Sequence, residues 1–160
     1  MPNHLLFRSG QVALQKLRVD FDTVIAMGDM VYLDGTVVRP ASELTWNTNL
    51  ATTQQDFANV FLGIAHEPSA DGETDPISVD VSAVSVYEFT VTASTFDNGA
   101  LLGPDEGSSD LLNQQLALVG SAAQAVARAV EFADVMVTRL RVTFASAFTT
   151  SSANANAAIG

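Results

Sequence analysis

Short apolar runs with a two-residue period, cut by turn dipeptides, restrict this chain more than any other feature of it. Side chains two apart share one face of a strand, so such runs build half-buried β-strands and the dipeptides join them into hairpins. Met30-Val31-Tyr32-Leu33 and Thr36-Val37-Val38 flank Asp34-Gly35, a pair favoured in two-residue hairpin turns. Pro40 closes this hairpin, because proline donates nothing to a ladder. Ile77, Val79 and Val81 share one phase, which Val84 and Val86 break before Tyr87, Phe89, Val91 and Ala93 resume it. That break marks a turn or bulge at 82–85. Phe61-Leu62-Gly63-Ile64-Ala65 reads as a buried strand and residues 116–119 as another. Residues 135–144 predict a long final strand, with Met136, Leu140, Val142 and Phe144 on one side and Arg139 and Arg141 on the other.

One helix is expected, over 52–59, where Thr52 offers a capping hydroxyl and Gln55 completes a capping-box spacing. Leu50, Phe57, Val60 and Phe61 would share its buried face. Residues 69–76 and 103–110 read as loops and Asn98-Gly99 as a turn. Residues 121–133 fit either element: their alanines favour a helix, whereas Val126, Arg128, Val130 and Phe132 alternate as in a strand. The expected fold is all-β, a compact β-barrel or β-sandwich with one short helix and extended termini. Its parts are an N-terminal arm at 1–19, a body at 20–148, and a C-terminal tail at 149–160 that is flexible or ordered only against a partner. A chain of 160 residues is the size of one domain, and a second independent core is not expected.

Charge and composition narrow the function. The net charge is −11, but residues 1–19 hold Arg8, Lys16 and Arg18 and no acid, while Asp20 to Ala127 carries 16 acids against Arg39 alone. A polyanion is repelled by such a body, so nucleic acid is not an expected partner. No apolar run reaches the roughly 18 to 20 residues that a bilayer span needs, and the first residues do not read as a secretory signal. A soluble protein made in a cytoplasm and independent of membranes is expected. With no cysteine there are no disulfides or thiolate metal sites, and stability must come from packing and association.

Chemistry-bearing side chains are sparse. His4 and His66 are the only histidines, and neither adjoins a strained Gly-x-Ser-x-Gly turn, so nucleophilic hydrolysis finds no constellation. His66 reads as a strand-end residue satisfied by a neighbour. Asp71-Gly72-Glu73-Thr74-Asp75 alternates oxygen ligands as a calcium loop does, but Pro76 stands where the turn glycine belongs, and a polar hairpin tip is the simpler reading. Asp105 with Glu106, or Asp80 with Glu88, would have to converge in space to act as an acid–base pair. No enzyme activity, cofactor or metal is expected. A small oligomeric β-barrel enzyme and a glycan- or receptor-binding module are the alternatives, the latter requiring Trp46 and Tyr87 exposed together.

Several ordered motifs give the chain a likeness. Gly28-Asp-Met-Val-Tyr-Leu-Asp-Gly35, Trp46-Asn-Thr-Asn49, Phe61-Leu-Gly-Ile-Ala65, Val86-Tyr-Glu-Phe89, Leu101-Leu-Gly-Pro-Asp105 and Asn113-Gln-Gln-Leu116 span residues 20–145. In their order the chain resembles the small capsid decoration, or cement, proteins of tailed phages. The resemblance implies a β-barrel or β-sandwich, a strand over 125–132, and a homotrimer on the outer surface of the virion. There it would stabilise an icosahedral capsid by binding the major capsid protein. The candidate partner contacts are Leu5, Leu6, Phe7, Arg8, Lys16 and Arg18 of the arm, which pairs apolar anchors with charge opposite to the body, together with Trp46. The arm either crosses to a neighbour or packs on its own barrel as a first strand.

Overall fold

Period-two patterning becomes eleven strands and one α-helix in the computed structural model, which describes residues 5–148. They are β1 (Phe7–Ser9), β2 (Leu14–Leu17), β3 (Met30–Asp34), β4 (Val37–Pro40), α1 (Leu50–Val60), β5 (Phe61–Ala65), β6 (Ile77–Asp80), β7 (Val86–Phe96), β8 (Leu101–Gly107), β9 (Asp110–Leu118), β10 (Ala127–Ala129) and β11 (Ala133–Phe144). His4 and the expected tail at 149–160 lie outside the described residues. The fold is all-β.

Five strands close on themselves. Sheet order runs β7-β11-β10-β8-β9, and β9 returns to β7 through a parallel pairing of Thr90 with Gln115 and Val91 with Leu116. Closure removes the open edge that would otherwise invite pairing with other chains. β1 takes the remainder of the same β7 edge, opposite Val86 and Tyr87. The second sheet runs β2-β6-β5-β3-β4, and Val19 bridges Val38 so that the segment beginning with β2 touches both edges. Residues 5–19, set apart above as an arm, therefore contribute to both sheets.

Two apolar clusters result, one on each side of β3 and β5. Met30, Tyr32, Phe57, Phe61, Ile64, Phe89, Leu140 and Phe144 belong to the larger, to which the closed barrel, α1 and one face of β3 and β5 all contribute. Val31, Val38, Leu62, Ile77 and Val79 belong to the smaller, within the second sheet. The two are not independent, because alternate residues of β3 point into each. Each fully buried large side chain contributes about 1.5–3 kcal/mol, and the aromatic group adds edge-on contacts such as Phe89 to Phe144 at 5.1 Å.

Four local expectations are corrected. Asn49, not Thr52, caps α1: its side chain accepts from the Thr52 N–H at 2.9 Å, and the helix begins at Leu50. In the first hairpin Asp34 pairs with Val37, so Gly35 and Thr36 form the turn, with Gly35 at φ 61. The stretch 103–110 is not a loop but a hairpin: β8 runs to Gly107, Ser108 and Ser109 turn with φ 57 and 64, and β9 starts at Asp110. Its polar composition suits strands whose outer faces meet water. Met136 does not face the core: register shifts around Val137 invert the alternation, leaving Met136 70% exposed and Val137 packed inward. Residues 121–133 divide into a 3-10 turn at Ala122–Gln124 and the three-residue β10.

Candidate docking surface

The loop between Val19 and β3 exposes Phe21 (66%), Val24 (57%) and Met27 (38%), three large apolar side chains within seven residues. Loops that expose such groups usually collapse, and this one is held open from below. Ile25 is buried in the smaller cluster and exchanges backbone hydrogen bonds with Ser69 at 2.9 Å in both directions. Gly28 donates to the Ala65 carbonyl at 2.8 Å, and the Asp29 carboxylate accepts from the Ala26 N–H at 2.9 Å. Arg39 fixes the front of the loop, reaching Asp20 at 3.0 Å, Asp22 at 3.7 Å and the Thr23 hydroxyl at 3.0 Å, besides Asp34 and Glu43. A guanidinium carries enough donors for this fan of acceptors. The Glu43 hydrogen bond foremost, against the cost of burial, raises the pKa of Arg39 above its ordinary value.

Beside the loop lies a cleft of about 370 Å³ lined by Val24, Ala26, Asp29, Leu112, Asn113, Gln114 and Gln115. β9 supplies the amides. Gln114 donates to Asp29 Oδ1 at 2.7 Å and to the Met27 carbonyl at 3.2 Å, tying strand to loop. Asn113 accepts from the Ser42 N–H at 2.7 Å. Burial raises the pKa of Asp29, opposed by the hydrogen bonds from Ala26 and Gln114. An apolar rim over an amide-lined floor suits a protein segment, which supplies both side chains and peptide groups.

The contacts expected from sequence are scattered. Leu5 packs against the larger cluster, and Phe7 lies edge-on over Tyr87 with ring centroids 5.8 Å apart. Leu6 accepts from the Glu88 N–H through its carbonyl. Arg8 pairs with Glu88 at 2.9 Å and Lys16 with Glu67 at 2.6 Å, both within the same chain. Arg18 is exposed. Trp46 is half-buried against the larger cluster, and Tyr87 is buried at 2%, so the two form no exposed aromatic platform.

A second group of titratable side chains is interior. His66 Nε2 lies 2.7 Å from the Tyr87 hydroxyl, which donates to Asp80 Oδ2 at 2.5 Å. Asp80 Oδ1 accepts from the N–H groups of Ala13 and Ser82, both at 3.0 Å. Burial pushes the Asp80 carboxyl up, but hydrogen bonds, Tyr87's first among them, outweigh it and leave the pKa below the usual carboxylate range. Burial and then Asp80 push the Tyr87 phenol well above its ordinary value, and burial lowers His66. This network clasps the β2 segment to β6 and β7. Asp80 and Glu88 do not converge, since Glu88 faces outward to Arg8 and Arg139. Asp105 accepts from Thr92 and Gln115. Among the described residues no three His, Asp or Glu side chains are grouped to hold a metal, and no helix is long and apolar enough to cross a membrane.

No protein-family model, curated protein or solved structure matches the chain. Sequence reasoning passed over Phe21, Val24 and Met27. Their signal is a three-residue spacing between acids and a glycine, which matches neither strand nor buried helix. Gln114 and Gln115 stood only as part of the ordered motif at 113–116, because their contacts depend on what β9 places opposite them.

Proposed function

We propose that this chain is a non-catalytic structural protein that decorates the outside of a tailed-phage capsid by binding the major capsid protein, as a homotrimer. The observation carrying this reading is the braced loop that presents Phe21, Val24 and Met27 beside an amide-lined cleft. Rigid apolar anchors lose little entropy on docking, and an interface built on them depends on shape rather than on a reaction. The ordered motifs that resemble cement proteins support the shell as the partner. The test is co-sedimentation with shells assembled from the major capsid protein that this reading makes its partner. The protein binds, and the triple variant Phe21→Ser, Val24→Ser, Met27→Ser, which alters only exposed side chains, loses at least about tenfold in affinity, since each anchor is worth about 1 kcal/mol or more. Unchanged binding by the triple variant overturns the assigned surface, and absence of binding by the parent protein overturns the function.

A further inference from the structure

Charge is distributed unevenly over this fold. Every one of its seven Lys and Arg and 18 Asp and Glu side chains lies within the described residues. Four of the cations project from one outer sheet face: Arg8 on β1, Arg139 and Arg141 on β11, and Arg128 on β10 opposite Thr143. Three carboxylates accompany them, of which Asp134 is exposed on β11. Glu88 is shared by Arg8 at 2.9 Å and Arg139 at 3.2 Å, and Glu131 accepts from the Arg141 backbone N–H at 2.8 Å. The face thus carries 4 − 3 = +1, and the remainder of the chain carries 3 − 15 = −12, which together give the net −11. Arg128 and Arg141 have no ion-pair partner among the described residues. Phe132 (63%), in the turn between β10 and β11, and Val135 (65%) and Met136 (70%) on β11 are exposed near this face, where Val130 donates to the Arg141 carbonyl. Arginine, methionine and aromatic side chains together are the composition of protein interface cores.

The occupant whose charge suits this face is the chain itself. Asp71, Glu73 and Asp75 lie in the exposed loop that leads into β6, in the other sheet, with no cation in ion-pair range among the described residues. We propose that the arginine face of one copy docks the 70–76 loop of a second copy, in a head-to-tail contact. Although two copies each carry −11, the screening length at physiological ionic strength is about 8 Å, so contacts across the interface outweigh the repulsion of the distant surfaces. Such a contact is heterologous and repeats until a rotation closes it.

Analytical ultracentrifugation of the free protein tests this without any shell: the outcome bears on the homotrimer proposed above, while shell binding is read separately by co-sedimentation. Arg128→Glu with Arg141→Glu reverses the face, and Asp71→Lys with Asp75→Lys reverses the loop; none of these four side chains holds a hydrogen bond or ion pair among the described residues. Each double variant weakens self-association by about tenfold or more, and the quadruple variant, with both signs exchanged, regains it. Circular dichroism melts establish that the variants are folded. A parent protein that stays monomeric to hundreds of micromolar, double variants that associate as the parent does, or a quadruple variant that remains weak each overturns the proposal.

Discussion

Replacing Tyr87 with phenylalanine removes a single oxygen from the centre of the clasp and leaves the packing in place. The ring keeps its edge-on contacts with Phe7 at 5.8 Å, Phe144 at 5.9 Å and His66 at 6.1 Å. What disappears is the donor to Asp80 Oδ2 and the partner of His66 Nε2, at sites where water has little access. A hydrogen bond to a charged group is worth about 1.5–3 kcal/mol, and a buried imidazole nitrogen left alone adds to that, so the expected loss is about 2–3 kcal/mol. For a chain of this length that lowers Tm by roughly 4–10 °C. Urea titration followed by tryptophan fluorescence is the assay, with an unchanged m-value as the sign that only stability moved. The pH dependence gives a second reading. Because the folded carboxyl of Asp80 sits below its ordinary 3.8, its stabilisation is fully present above that pH and is lost as pH falls through the folded value. Removing Tyr87's hydrogen bond raises that folded value, so the variant unfolds at a higher pH on acidification. A loss below about 0.5 kcal/mol, with an unshifted acid transition, would refute the clasp.

Other expected outcomes follow from single features. Ser108→Asn with Ser109→Gly relieves two side-chain-bearing residues at φ 57 and 64 and raises Tm; the left-handed region costs about 1–2 kcal/mol per ordinary residue, and asparagine and glycine carry less of it. Gly63→Ala places a Cβ 2.0 Å from the Asp80 carbonyl oxygen, backbone that cannot swing aside, and destabilises by about 3 kcal/mol or more in the same urea titration. Asn49→Ala removes the α1 cap and costs about 1 kcal/mol. Burial lowers the pKa of His66, so the unfolded chain takes up a proton first on acidification and stability falls as pH drops below 6.5. His66→Gln flattens that part of the pH–stability curve.

Strand phase was legible wherever burial was one-sided. β7 reads off the sequence because Tyr87, Phe89 and Val91 point into the barrel while Glu88 and Thr90 meet water. Two-sided burial and irregularity hid the rest. β6 is buried along its whole length, Ser78 and Asp80 included, since the second sheet lies between the two clusters. A bulge reversed Met136 with no residue to announce it, and Ser108-Ser109 is a weaker turn signal than the glycine pairs elsewhere. Local charge was an incomplete guide to the first 19 residues: Arg8 and Lys16 stand among no acids in sequence, yet Glu88 and Glu67, 80 and 51 residues away, meet them in space. The loop presenting Phe21, Val24 and Met27 stayed hidden for a related reason, because what holds it open is Arg39, Ser69 and Gln114, from three distant segments.

Electron cryomicroscopy of shells of the major capsid protein proposed as the partner, incubated with this chain, tests the central claim most directly. The expected result is added density on the outer surface in which residues 20–28 and 112–115 face the shell, with Phe21, Val24 and Met27 covered. Bare shells at saturating protein, or bound copies with that loop turned to solvent, would contradict it.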